Sequence, residues 1–127
     1  MAQVAIFDTV PKNDLFNFFG KDNAVNGRRV VESLKFKKED VATAANVPMT
    51  SVRYDGKMPA DLEQRLIEWA TALNLVGNYF QDINKTLLWF QVPNPHLGDY
   101  SPRDMIRLGR YNKLMRFIQT ALDENTR

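Results

Sequence analysis

The chain has 127 residues, 44% of them hydrophobic and 25% charged, which are the proportions of a soluble globular domain. These proportions exclude a fibrous repeat and a largely disordered chain, and the length predicts one domain with room for a short appendage. The net charge of +2 is too small to indicate a nucleic-acid or membrane partner. Because the sequence has no cysteine and no apolar run long enough for a signal peptide or a membrane span, we expect a cytoplasmic protein without disulfides or membrane contact.

The sequence lacks the motifs of common enzymes. Its six glycines are never closer than seven residues apart, so neither a dinucleotide-binding turn nor a P-loop can form. The single histidine, His96, is predicted to be a surface or turn residue, since a metal site or a catalytic triad needs further ligands or a positioned serine and acid. The adjacent carboxylates of Glu39-Asp40 and of Asp123-Glu124 point in different directions on a helix and cannot share a proton. We therefore predict a protein that is not an enzyme and that needs no metal ion or cofactor.

Residues 1–27 are predicted to form a short N-terminal appendage that packs on the main body. Its predicted parts, in chain order, are an apolar piece at Val4–Phe7, a brief helix started by Asn13 or Asp14 and stopped by Gly20, and a polar linker over Lys21–Gly27. The compact helical body is expected to begin after this linker.

The helical region over residues 28–81 begins with a helix that ends near Lys35 and then shows a helix-turn-helix pattern. The apolar face of the first helix is formed by Val30, Val31 and Leu34. In the pattern that follows, the small Ala42 marks where two short helices touch, and Asn46 takes the left-handed turn position that glycine usually holds. Val47 and Val52 flank this turn and are predicted to be buried. Pro48 is predicted to be the first residue of the second helix.

The second helix of this pattern is predicted to present a surface that reads DNA, although Asp55-Gly56 cuts it short. Its exposed candidates are Met49, Thr50, Ser51, Arg53 and Tyr54. Thr50 and Arg53 are candidates for base edges, and the candidates for phosphates are Lys35, Lys37, Lys38 and Lys57. The competing interpretation is a helical hairpin that serves packing only, because segment 35–57 carries five basic residues against three acids, a weak electrostatic footprint for a DNA-binding protein.

A long amphipathic helix of about 20 residues is predicted to begin after Pro59. Its apolar positions, spaced alternately by four and three, are Leu62, Leu66, Trp69, Leu73, Val76 and Phe80. We interpret this stripe as core packing in preference to an oligomer seam. Asp82 is expected to cap the next helix, whose run Leu87–Phe90 is apolar nearly all round and therefore predicted to be buried, and Pro93 closes it.

The C-terminal module over residues 82–127 is organised by rigid turn chemistry. Each proline of Pro93-Asn94-Pro95 fixes its own φ, and Gly98 can adopt a positive φ. Ser101-Pro102 is a strong helix start, and Gly109 interrupts the helix that follows. The last amphipathic helix is defined by Leu114, Phe117, Ile118, Ala121 and Leu122.

Basic residues concentrate in two short segments. In segment 103–116, the single acid Asp104 accompanies Arg103, Arg107, Arg110, Lys113 and Arg116. The three arginines recur at i, i+4 and i+7, which predicts either a solvated helix face or a contact surface for an acidic partner or nucleic-acid phosphate. In segment 28–38, the single acid Glu32 accompanies Arg28, Arg29, Lys35, Lys37 and Lys38. Both segments are candidate contact surfaces.

The C-terminal module contains the run Trp89-Phe90-x-x-Pro93-Asn94-Pro95-x-Leu97-Gly98-x-x-Ser101-Pro102, followed by the aliphatic pair Met105-Ile106 and by Gly109. This run resembles the toxin-binding domain of Xre/MbcA/ParS-type antitoxins. That domain is marked by a W-[LF]-x-x-P-N-P-x-L-G-G-x-[ST]-P run. The match covers about Trp89 to Ile118, and the KFKKEDVATAANV and long-helix segments upstream also resemble the helix-turn-helix portion of these antitoxins. Asp99 stands where a second glycine is common in the family.

The resemblance implies an all-α fold, a helix-turn-helix-containing bundle with a C-terminal helical toxin-binding module. It also implies a cognate protein toxin, typically a RES-domain enzyme that degrades NAD, and a homodimer that binds operator DNA. The motif positions that carry over to the partner-binding module are Asn94, Pro95, Leu97, Gly98, Ser101, Pro102 and Gly109. The basic spacing adds Arg103, Arg107 and Arg110 as candidates for partner contact. Most of the motif positions are expected to shape the module instead of touching the toxin.

We therefore predict an antitoxin-like binding protein that neutralises a toxin and autoregulates its operon. The alternative is a stand-alone helix-turn-helix transcriptional regulator without a toxin partner. Its DNA-binding residues are Thr50, Ser51, Arg53, Tyr54 and Lys57.

Overall fold

The structure is a computed structural model that describes residues 14–20 and 22–125. Within these residues it has six α-helices: α1 Gly27–Leu34, α2 Lys38–Ala45, α3 Ala60–Phe80, α4 Ile83–Gln91, α5 Pro102–Arg107 and α6 Tyr111–Asn125. Two short 3-10 turns occupy Met49–Ser51 and Pro95–Leu97. This part of the chain forms no strand, only isolated antiparallel bridges from Phe19 to Val25 and from Asn94 to Tyr100. The predicted all-α fold is confirmed, while the predicted piece Val4–Phe7 lies outside the described residues.

The long helix α3 occupies the centre of the bundle, where it contacts α1, α2, α4 and α6. Five positions of its predicted apolar stripe are buried, namely Leu62, Leu66, Trp69, Leu73 and Val76. The Phe36 ring meets the Trp69 indole edge-on, with centroids 5.6 Å apart. The later helices complete this core with Phe90, Met105, Ile106, Leu114 and Ile118. The stripe is therefore core, as predicted.

Helix boundaries follow the local capping chemistry that the sequence predicts. The Asp82 carboxylate accepts the Lys85 backbone N–H at 2.9 Å, and the Ser101 hydroxyl accepts the Asp104 backbone N–H at 3.0 Å. Three helices end on residues with a left-handed backbone of φ 55–56°, namely Lys35, Asn46 and Gln81. Asn46 thus holds the turn position predicted for it.

The predicted helix before Gly20 does not form. The Asp14 carboxylate accepts the backbone N–H groups of Phe18 at 2.9 Å and Phe19 at 2.8 Å, and such side-chain bonds compete with helical hydrogen bonding. The Asn17 backbone N–H donates to the Asp14 carbonyl at 3.0 Å, and Asn17 has a left-handed backbone with a φ of 58°. The rings of Phe16 and Phe18 on either side of it are buried and stacked 4.9 Å apart. The helix prediction was wrong because the Asp14 carboxylate closes a turn here and Asn17 leaves the helical backbone conformation.

The predicted linker over residues 21–27 also needs correction. Val25 and Gly27 are buried, Val25 pairs with Phe19, and the Asn26 backbone N–H donates to the Phe18 carbonyl at 2.6 Å. Residues 22–27 therefore fold back on the preceding segment and lead directly into α1.

Helix α4 is buried on one side only. Phe90 is buried, Leu87 and Trp89 are half-buried, and Leu88 is 63% exposed. The prediction that the whole run is buried was wrong because α1, α3 and α5 cover only one face of this helix. None of the helices in the described part of the chain combines the length and the apolar character that a bilayer crossing requires.

Tyr111 leads to a prediction about alkaline pH. Its hydroxyl donates to the Glu68 carbonyl at 2.9 Å, and burial, with the Glu68 charge adding to it, raises the pKa of Tyr111. The folded protein then holds a phenol proton that the unfolded chain releases above about pH 10, so stability falls by up to about 1.4 kcal/mol per further pH unit. We expect Tyr111→Phe to cost about 1 kcal/mol at pH 7 and to lessen the loss between about pH 10 and 11 in urea titrations. Parallel pH profiles for the two proteins would contradict this assignment.

Candidate functional site

The segment from Pro93 to Ser101 closes on itself as a rigid turn. The Asn94 backbone N–H donates to the Tyr100 carbonyl at 3.1 Å, and the Asn94 side-chain oxygen accepts the His96 backbone N–H at 2.9 Å. Gly98 and Asp99 have φ values of 70° and 67°. Two successive left-handed residues favour glycine at both positions, and Asp99 occupies the second of them. The predicted turn is confirmed.

The motif positions differ in how much of their surface a partner can reach. Leu97, Ser101 and Pro102 are buried, so they shape the turn from inside. Asn94 is half-buried, and the exposed positions are Pro95, Gly98 and Gly109. Gly109 has a φ of 77°, which ends α5 as its helix-interrupting role predicts. Only the exposed and half-buried positions can contact a partner directly.

A solvent-open apolar groove of about 150 Å³ lies beside this turn, between the ends of α3, α4 and α6. It is lined by Val76, Tyr79, Phe80, Trp89, Phe117, Ile118, Ala121 and Leu122. The Phe117 ring stacks against Trp89 at 6.4 Å and against His96 of the turn at 6.0 Å between centroids. His96 is exposed in the turn, as predicted. The groove and the turn therefore form one surface, called here the module face.

The sequence patterns did not predict this groove. From those patterns we predicted that Phe117, Ala121 and Leu122 of α6 belong to an ordinary core face. In the structure all three are half-buried. The usable signal was the apolar end of α3, where Tyr79 stands beside Phe80, the last position of the stripe. Only the packing of three helix ends decides that these side chains meet at the surface.

Three exposed cations lie on α6 or immediately before it. Lys113 is one helical turn before Phe117, Arg116 precedes Phe117, and both are exposed. The Arg110 guanidinium lies 5.3 Å from the centre of the Tyr100 ring. Within the described residues, none of these three cations has a carboxylate at ion-pair distance. They are available to an acidic partner.

Arg103 and Arg107 are instead engaged within the chain. Arg103 donates to the Leu34 carbonyl at 2.5 Å and to the Lys35 carbonyl at 2.9 Å, and Arg107 pairs with Asp104 at 3.2 Å. The sequence pattern left a solvated helix face or a contact surface open for these two arginines, and their contact with a partner stays a prediction. Arg103 satisfies carbonyl groups at the end of α1, where the helix leaves them without partners.

The predicted helix-turn-helix is only half formed. The first helix is α2 and the left-handed turn is present, but the second helix is a single 3-10 turn at Met49–Ser51 that ends at Val52. The Asp55 carboxylate accepts the Lys57 backbone N–H at 3.0 Å, and the Asp55 carbonyl accepts the Met58 backbone N–H at 3.0 Å. These bonds build a turn where a recognition helix would continue, which corrects the prediction.

The predicted DNA-binding residues lie on this turn and the loop after it: Thr50, Ser51, Arg53, Tyr54 and Lys57. Arg53 donates from two nitrogens to both carboxylate oxygens of Asp55, at 2.8 and 2.6 Å. Tyr54 is half-buried, with the Arg28 guanidinium 5.4 Å from the centre of its ring. The structure therefore does not present the five as one helix face.

The described residues bring no three histidine, aspartate or glutamate side chains together in a metal-binding arrangement. No protein-family model matches the chain, and no curated protein sequence matches it. The antitoxin resemblance therefore stays a prediction, supported by the residues of the Trp89–Ile118 stretch.

Proposed function

We propose that the chain is an antitoxin-like protein that neutralises a cognate toxin by binding it through the module face. The observation that carries this proposal is the open apolar groove beside the Pro93–Ser101 turn. Tyr79 is 47% exposed at its edge, and exposed apolar surface of this kind marks interaction sites on soluble proteins. The same turn carries the motif that resembles the toxin-binding domain.

The chemistry of the module face defines the partner. A binding segment needs apolar side chains for the groove and carboxylates for the unpaired cations Arg110, Lys113 and Arg116. The resemblance implies a RES-type, NAD-degrading toxin, and we propose such an enzyme as the partner. Of the positions predicted for toxin contact, Pro95 and Gly98 are exposed in the turn beside the groove, and Arg110 is exposed immediately before α6. All three suit this role.

The stand-alone transcriptional regulator has less support. Sequence-specific recognition by a helix-turn-helix needs a second helix that enters the major groove. The single 3-10 turn at Met49–Ser51 is too short for that purpose. We therefore propose protein binding in preference to operator recognition by this element.

Co-expression with the product of the adjacent reading frame tests the proposal, with growth and cellular NAD as readouts. We expect the chain to restore both, and the two purified proteins to form a complex. Tyr79→Asp places a charge at the groove and Lys113→Glu reverses a charge beside it. Each is expected to weaken the complex at least about tenfold, because both remove complementarity at the proposed interface.

Leu88→Asp is the matched control. Leu88 is exposed on α4 and outside the groove lining, and the substitution introduces the same negative charge as Tyr79→Asp. We expect Leu88→Asp to protect cells as well as the unmodified chain does. Full protection by Tyr79→Asp, or equal losses in both variants, would contradict the docking surface. A neighbouring product that neither harms cells nor binds the chain would contradict the toxin partner.

A further inference from the structure

The described part of the chain begins beside the groove of the module face. A Cβ added to Gly77 of α3 would lie 3.2 Å from the Leu15 side chain, so the chain passes over α3 at this point. Gly77 follows the groove residue Val76 and lies one helical turn before the groove residue Phe80. Residues 1–13 are therefore attached to the body at the edge of the groove.

The residues before Asp14 contain one run of four consecutive apolar side chains, Val4–Phe7, which the proposed function does not use. Six residues connect this run to Asp14. Such a connection spans at most about 20 Å, whereas neighbouring positions on a helix surface, such as Gly77 and Phe80, are about 5–6 Å apart. The connection is therefore long enough to bring the run onto the groove.

The groove has the size and the walls that suit one aromatic ring. Its volume of about 150 Å³ matches that of an apolar cavity that binds benzene. Two of its walls are the Trp89 and Phe117 rings, which stack with centroids 6.4 Å apart, and a third ring can pack against their edges. Phe7 is the one aromatic residue before Asp14. Within the apolar run, Phe7 is therefore the side chain that fits the groove best.

The short connection favours this occupant over an unattached peptide. It holds the run at an effective concentration of about 1 mM near the groove. A contact with a dissociation constant of about 0.1 mM is then filled about 90% of the time. Occupancy to this extent requires only a weak contact, which one buried aromatic ring and its aliphatic neighbours can supply.

We propose that the run Val4–Phe7 of the same chain occupies the groove through the Phe7 ring, and that a partner must displace it. The competition with a partner rests on the proposed function of the groove, whereas the occupancy does not. A partner that finds the groove open about a tenth of the time binds about tenfold more weakly than it binds a groove that is always open. The segment before Asp14 thereby sets the affinity of the module face.

Nuclear Overhauser effects measured on the full chain test the occupancy. We expect contacts between the Phe7 ring protons and the methyl groups of Val76, Ala121 and Leu122. Phe7→Asp should shift these methyl signals, whereas Gln3→Asp, which adds the same charge outside the run, should leave them in place. Melting curves by circular dichroism check that both variants fold. The absence of these contacts, contacts between different chains in a mixture of labelled and unlabelled protein, or equal shifts in the two variants would overturn the proposal.

A peptide with the sequence of residues 1–13 tests the competition without any partner. We expect it to bind Phe7→Asp about tenfold more tightly than it binds the unmodified chain, and Gln3→Asp to bind it within about twofold of the unmodified chain. Equal binding of the peptide to Phe7→Asp and to the unmodified chain would overturn the competition.

Titration with the product of the adjacent reading frame then extends the test to the proposed partner. Phe7→Asp is expected to bind this product about tenfold more tightly than the unmodified chain does. Tighter binding of the peptide together with unchanged binding of the product would show that the product does not use the groove, which contradicts the proposed function and leaves the occupancy by Phe7 supported.

Discussion

Replacing Arg103 with methionine is expected to destabilise the fold by about 3 kcal/mol, because hydrogen bonds from a charged donor are worth about 1.5–3 kcal/mol each. The guanidinium donates to the Leu34 and Lys35 carbonyls and lies 5.1 Å from the centre of the Phe36 ring. The variant keeps most of the side-chain volume but leaves both carbonyls at the end of α1 without their partner. Urea unfolding followed by circular dichroism measures the loss.

Arg107→Met provides the matched control for this substitution. Arg107 sits on the same short helix and makes one ion pair, with Asp104, in a more exposed position. Such a pair contributes less than about 1 kcal/mol, so Arg107→Met should unfold at nearly the urea concentration of the unmodified protein. Arg103→Lys keeps the charge but lacks the planar fork, and it should recover less than half of the loss. Equal destabilisation by Arg103→Met and Arg107→Met would show that Arg103 does not join α5 to α1.

Arg103 also shows which parts of the structure the sequence can predict. The start of α5 depends on Ser101 and Asp104, which are three residues apart, and that helix start was predicted from their pattern. The role of Arg103 depends on carbonyls 69 and 68 residues away, so its regular spacing predicted a surface cation. Helix caps and turns depend on residues that are close in sequence and can be predicted from them. Contacts across the bundle depend on how the helices pack.

The same distinction between local and long-range contacts applies to the module face and to the predicted helix-turn-helix. The rigid turn at Pro93–Ser101 was predicted because each proline fixes its own φ and Gly98 can adopt the positive φ that the turn requires. The groove beside it was not predicted, because α6 closes it against the ends of α3 and α4, and α6 is separated from them in sequence by the turn and α5. The second helix of the predicted helix-turn-helix does not form, and the reason is local: the Asp55 carboxylate and carbonyl accept hydrogen bonds that close a turn.

Asn74→Leu is expected to cost about 2–4 kcal/mol, because it removes two buried hydrogen bonds and leaves the Phe16 backbone N–H without a partner. Asn74 is fully buried on α3, its amide donates to the Asp14 carboxylate at 2.8 Å, and its oxygen accepts the Phe16 backbone N–H at 3.3 Å. This residue attaches the segment 14–20 to the centre of the bundle. Hydrogen exchange should therefore speed up at Phe16, while Gln64→Leu, an exposed amide on the same helix, leaves exchange there unchanged.

Gly77→Ala separates the contribution of this segment from that of α3 itself. Alanine inside a helix is normally about 1 kcal/mol more favourable than glycine, so the variant would be stabilised if the segment contributed nothing. An added Cβ at Gly77 would lie 2.9 Å from the Phe16 ring and 3.2 Å from the Leu15 side chain. Phe16 is buried and stacked on Phe18, so the ring cannot move away without giving up that contact. We therefore expect Gly77→Ala to lose stability, and a gain in urea resistance would show that the segment is not part of the core.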